Sequence, residues 1–188
     1  MTIVRCYPSA YSDPGTPPDN WHYPQNVTGV EDNNCTHKHC QTTGHFVLNL
    51  TAFKDVNGNP FNIPSNAVLD KITVTAKGTE TQCDTNHGLD VWYQPKPGVS
   101  FMTANVTASY LCADAKWMQL IILTASDIIF YGITPADFNN ETFTIWLDFV
   151  VNVLGDGHVG YVDAVYIEVE YHLPSALASK RLLVGVGL

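Results

Sequence analysis

From about residue 45 onward the chain alternates apolar and polar side chains with a period of two, the pattern of strands that bury one face. "HFVLNLTAF" is apolar and rich in β-formers. In "AVLDKITVTAK", Ile72, Val74 and Ala76 share one face while Lys71, Thr73, Thr75 and Lys77 share the other. "GLDVWYQP" reads as a short strand closed by Pro95 and Pro97. "WMQLIIL" and "DIIFYGI" are apolar runs separated by "TAS", and their β-branched content suits strands. The last third is the most regular. "ETFTIWLDFVVNV" places Phe143, Ile145, Leu147, Phe149 and Val151 on one face, opposite Thr144, Trp146, Asp148 and Asn152. "YVDAVYIEVEY" turns Val165, Ile167, Val169 and Tyr171 inward and Tyr166, Glu168 and Glu170 outward. The intervening "LGDGHVG" predicts a hairpin between these two strands, because Asp-Gly favours tight turns. A short helical turn is expected at "TPADFNN", with Thr134 as cap and Pro135 at the first helical position.

Several such strands with no convincing amphipathic helix predict an all-β protein, an antiparallel two-sheet sandwich of jelly-roll type. Residues 1–20 carry Pro8, Pro14, Pro17 and Pro18 and read as an extended N-terminal arm. The sandwich is expected over 21–173. Residues 174–188 form a second arm, in which Lys180 and Arg181 precede the apolar Leu182, Leu183 and Val184. An apolar tail makes physical sense when it docks on a neighbouring subunit, for example by adding a strand to a sheet edge.

Charge narrows the partners. With 9 basic against 18 acidic residues in 188, the net charge is -9, which disfavours nucleic acid and anionic membrane surfaces. Only 14% of residues are charged, so Asn, Thr, Ser and Gln must supply most of the polar surface. "MTIVRCYPSAYSDPG" has no basic segment followed by an apolar one, and no apolar run approaches the ~18 residues of a membrane span. Synthesis in the cytosol is therefore expected. The sequons at Asn26, Asn34, Asn49, Asn105 and Asn140 are read as a consequence of Asn- and Thr-rich composition.

No nucleophile elbow, His-Glu-x-x-His or phosphate-cradling glycine loop is present, so no catalytic residue is assigned and a non-enzymatic role is expected. "DVNGNP" resembles the start of a calcium loop but lacks the closing Glu, and reads as an Asn-Gly turn. The densest chemistry is "CTHKHC". Cys35, His37, His39 and Cys40 are candidate zinc ligands, with alternate residues of a strand supplying two of them. A disulfide is the second reading, Cys35 with Cys40 or Cys83 with Cys112, and free thiols beside solvated histidines are the third. No C-x-x-C pair occurs among the five cysteines. Trp92, Trp146 and Tyr166 fall opposite the apolar sets of their strands. Outward aromatics suit stacking on sugar rings or burial at a subunit interface. Asp163 falls on the inward set, where a carboxylate must be paired; it reads as a structural tie between a loop and the sheet.

Four segments in order carry a family resemblance: "NWHYPQNVTGVEDNN", "FNIPSNAVLDKITVTAKG", "FYGITPADFNNETFTIWLDF" and "GYVDAVYIEVEY". Trp21, Pro24 and Asn26 are followed by Ile63, Pro64, Ala67, Leu69, Ile72 and Val74. Gly132, Thr134, Asp137, Asn139 and Phe143 come next, then Val162, Asp163, Val165, Ile167, Val169 and Tyr171. This series resembles a β-sandwich domain of tailed-phage and prophage virion proteins, over roughly residues 20–172. It departs from that pattern at "CTHKHC" and at Leu69. The resemblance implies a virion structural component, such as a capsid decoration, head fibre or tail part. Its expected partners are copies of itself and other virion proteins, and no reaction is implied. A carbohydrate- or host-receptor-binding module on a virion is the alternative.

Overall fold

The computed structural model describes residues 1–14, 21–39, 43–80, 87–103, 116–151 and 159–174. Nine strands lie among the described residues. They are β1 Thr2–Ser12, β2 Thr36–His39, β3 Gly44–Lys54, β4 Val68–Glu80 and β5 His87–Lys96, then β6 Val99–Thr103, β7 Lys116–Thr124, β8 Thr144–Val151 and β9 Val159–His172. Two short helices, α1 Ala125–Tyr131 and α2 Pro135–Asn139, separate β7 from β8. The protein is all-β with antiparallel pairing throughout, in the order β6-β5-β8-β3-β1-β9-β4-β7. The strand β2 pairs with β9 outside that path.

β1 joins the two halves of the sheet. Thr2–Cys6 pairs with β9, whereas Tyr7–Ser12 pairs with β3. The change of partner falls just before Pro8, which has no N–H to offer and suits a position where a strand leaves one neighbour. β2 then takes the stretch of the β9 edge that β1 does not reach, opposite Val159–Val162. The expected arm over 1–20 is thereby corrected: Thr2–Ser12 is the central strand, with Cys6, Tyr7 and Pro8 buried. The proline-rich 15–20 and the whole of 175–188 lie outside the described residues.

Inward residues from both halves make one core. Leu48, Leu50, Leu89, Val91, Ile145, Leu147 and Phe149 come from one half, and Ile72, Val74, Ile121, Leu123, Val165, Ile167 and Val169 from the other. The alternation read from β8 and β9 therefore gives the buried faces correctly. β4 goes further, since Thr73 and Thr75 on its expected polar face are buried too.

The expected β8–β9 hairpin does not form. β8 is flanked by β3 and β5, and β9 by β4 on one edge and β1 and β2 on the other. Both edges of both strands are occupied by other strands, so β8 and β9 do not pair with each other. Gly160 at the start of β9 has its own reason: an added Cβ would sit 3.0 Å from Phe149 Cδ2. Only glycine allows that approach without moving the ring.

"DIIFYGI" is also corrected, because most of it is α1. Asp127 accepts from both the N–H and the hydroxyl of Thr124, and Gly132 closes the helix in the left-handed region at φ 62°. Local capping outweighs the β-branched content. The second turn forms as expected, with Asp137 accepting from the Thr134 N–H and hydroxyl. Asn139 then ties α2 to the chain ahead of β4: its Oδ1 accepts from the Ile63 N–H at 2.9 Å and its Nδ2 donates to the Ile63 carbonyl at 2.8 Å.

Candidate functional site

The "CTHKHC" cluster is built on β2, and its described part does not supply a zinc shell. Cys35 is disulfide-bonded, so its sulfur is not a thiolate. His37 stacks on His22 with ring centroids 5.0 Å apart and planes 6° from parallel. A metal ion lies in the plane of each imidazole that binds it, and two parallel, separated planes share no such point. His39 pairs through its backbone with Val159. Among the described residues no three His, Cys, Asp or Glu side chains gather as a metal group. Cys40, Cys83 and Cys112 lie outside the described residues. Between the histidines, Lys38 is fully buried with its ammonium 4.2 Å from the centre of the Phe46 ring. Alternation gave no sign of that burial.

The remaining free cysteine among the described residues, Cys6, is inert. Burial pushes its thiol up to about 12, helped by the charges of Asp55 and Glu141. The calcium-like "DVNGNP" is a closed turn in which Asp55 Oδ1 accepts from the Asn57 and Asn59 N–H groups, each at 2.8 Å. Those bonds, the Asn59 backbone N–H first, hold the Asp55 carboxylate below its usual range. Amides already do what a cation would do there. Asp163 ties a loop to the sheet: it is 1% exposed, accepts from the Asp32 and Asn33 N–H groups, and has Lys77 Nζ at 2.8 Å.

Trp92 and Trp146 form one rung of the β5–β8 ladder. Their indoles stack with centroids 5.5 Å apart and planes 7° from parallel, and both side chains are half-buried on the outward face. Polar rungs flank them on the same face, Asp90 with Asp148 on one side and Gln94 with Thr144 on the other. Asn49 of β3 lies across from Trp146. His45 Nδ1 is 2.8 Å from Asp148 Oδ2, and Asp148 is 5% exposed although it belongs to the outward set. The arrangement is an aromatic pair with hydrogen-bonding groups on several sides, and one face of each indole is spent on the other.

Tyr166, grouped by the sequence with these tryptophans, is elsewhere. On β9 it meets Tyr7 of β1, ring centroids 5.6 Å apart, with the Arg5 guanidinium 4.3 Å above its ring. Arg5 was not anticipated as a site residue, since its segment was read as an arm. Leu182, Leu183 and Val184 lie outside the described residues.

No known protein family and no curated protein matches the chain. A similar solved structure is that of TmCBM61 in complex with β-1,4-galactotriose, 11% identical over 85% of this chain and 88% of that chain, with a TM-score of 0.41. At that level the likeness carries no argument about fold or function. None of these comparisons bears on the resemblance to virion proteins.

Proposed function

We propose that the chain is a non-enzymatic glycan-binding domain, a two-sheet sandwich of jelly-roll type whose Trp92–Trp146 pair receives a sugar. The observation that supports this reading is the outward indole pair set between polar rungs. A pyranose has an apolar C–H face and a rim of hydroxyls. It asks for an aromatic surface surrounded by short polar side chains. Asn49, Asp90, Thr144 and Gln94 on the neighbouring register positions offer donors and acceptors. On the Asp90 side, His45 Nδ1 lies 2.8 Å from Asp148 Oδ2, the cross-strand neighbour of Asp90.

A glycan array tests the reading. Saturable binding is expected, and Trp146→Ala should weaken it about thirtyfold, on the order of 2 kcal/mol for a buried tryptophan contact. Trp146→Phe should retain part of it. An array with no saturable signal, or one unchanged in Trp146→Ala, removes the proposal.

A virion structural component that assembles with copies of itself is the second reading, favoured by an exposed apolar patch. Ile129 and Phe130 of α1 are 77% and 80% exposed, and Ile122 of the edge strand β7 is 48% exposed. Apolar side chains of this size left open to water are costly on a monomer. Phe130→Asp should abolish self-association in sedimentation velocity; a monomeric parent protein at high concentration sinks this reading.

A further inference from the structure

A separate cleft of about 560 Å³ is lined by Arg5, Tyr7, Val30, Glu31 and Tyr166. Its residues come from β1, β9 and the loop that Asp163 anchors, and it shares none with the Trp92–Trp146 face. The volume is in the range of small-molecule sites. We infer that this cleft is a second carbohydrate subsite, which takes one neutral sugar through a pair of adjacent hydroxyls. The inference rests on reading the chain as a glycan binder.

The chemistry of the lining selects the ligand. Arg5 donates through Nε at 2.9 Å and Nη2 at 2.7 Å to the same oxygen, Glu168 Oε1. Arginine has five N–H groups in a fixed fork, so donors remain for a ligand. The guanidinium is held in place by that pair and by the Tyr166 ring beneath it. Burial lowers its proton affinity, but the bonds to Glu168 and Tyr7 more than reverse this and keep it charged. Glu31, which also lines the cleft, is half-exposed, with Lys77 Nζ 3.5 Å from its Oε2. An anion would satisfy Arg5 but face both Glu31 and Glu168. A cation would satisfy Glu31 but face Arg5 and Lys77. A hydroxyl both accepts and donates, so two neighbouring hydroxyls can accept a hydrogen bond from Arg5 and donate one to Glu31. The tyrosines supply the apolar wall that the C–H face of a sugar needs.

Arg5 and Arg181 are the two arginines and Trp21, Trp92, Trp117 and Trp146 the four tryptophans, so one ¹⁵N spectrum watches both sites. The full chain is titrated with the methyl glycosides of glucose, galactose, mannose and xylose, and with glucuronate. At least one neutral glycoside should shift the Arg5 Nε–H signal saturably, and glucuronate should bind less well. Glu31→Gln should weaken the Arg5 response about tenfold, the loss of one charge-assisted hydrogen bond. Trp146→Ala should leave that response intact. Indole signals that move while Arg5 stays still overturn the second subsite and leave the first. Arg5 moving alone supports the second and removes the first. Neither moving overturns both, and an equal response in Glu31→Gln shows that Glu31 does not select the ligand and overturns the inference.

Discussion

Asp163→Ala is expected to lower the unfolding free energy by about 3–5 kcal/mol, the cost of removing one partner from a buried ion pair. Three groups lose their acceptor at once: the Asp32 and Asn33 N–H groups and the Lys77 ammonium. Lys77 keeps Asn33 Oδ1 at 2.9 Å and Glu31 at 3.5 Å, so its charge is not left bare, but both depend on the loop that Asp163 holds. Asp163→Asn should cost less, because an amide oxygen still accepts from the two backbone donors. The urea midpoint should fall with the slope unchanged, and a loss under about 1 kcal/mol would refute the assignment. The pH dependence supplies a second check. The hydrogen bond to Asp163 raises the Lys77 pKa above the usual 10.5 despite burial. The stability from that shift is complete below the usual lysine pKa and is lost as pH rises through the folded value. Asp163→Ala should therefore flatten the alkaline limb of the stability curve.

Asp163 was legible in the sequence because a carboxylate on an inward strand position has few explanations. The same alternation placed Ile145, Leu147, Phe149, Val165, Ile167 and Val169 in the core and turned Trp92 and Trp146 outward. A period of two reports which face a residue takes and is silent on which strand lies beside it. That is why β8 and β9 were joined in a hairpin they do not make, and why the stacking of Trp92 on Trp146 had to come from the structure. α1 shows a different failure. Thr124 and Asp127 stand three apart, as Thr134 and Asp137 do, yet only the second pair had a proline at the first helical position. The β-branched composition of the apolar run after Thr124 masks its cap. The four prolines of residues 1–20, Pro8, Pro14, Pro17 and Pro18, predict an arm, and that reading sets Arg5 and Tyr7 outside the domain. "TIVRCY" before Pro8 carries the β-branched residues of a strand. The stacking of His22 on His37 joins segments whose pairing no local pattern encodes.

Phe143→Ala should cost a further set of about 3–5 kcal/mol, by leaving a cavity among rings that have nowhere to move. Phe143 lies just before β8 and is the meeting point of four aromatic side chains. Its ring centroid is 5.1 Å from Phe53, 5.6 Å from Phe138, 5.8 Å from Phe61 and 6.4 Å from Tyr93. Phe53 belongs to β3, Phe138 to α2, Tyr93 to β5 and Phe61 to the segment between β3 and β4, so one ring fixes four parts of the chain together. Tilted and edge contacts of this kind add about 0.5–1.5 kcal/mol each beyond area burial, and they share one ring, so their losses do not sum. Phe143→Leu fills most of the volume without the ring geometry and should lose about half as much. Phe130→Ala is the matched control: an exposed phenylalanine of the same chemistry, whose removal should change folding stability by less than about 0.5 kcal/mol. Thermal and urea unfolding of the three variants decide the matter. Equal costs for Phe143→Ala and Phe130→Ala would mean that the aromatic cluster does not hold these four parts of the chain together. Tyr93 directly follows Trp92 on β5, and Phe143 stands three residues before Trp146. On the proposed reading of the Trp92–Trp146 pair as a sugar site, a Phe143→Ala protein that still folds should bind glycan more weakly than its stability loss alone explains, because both indoles hang on strands that this ring aligns.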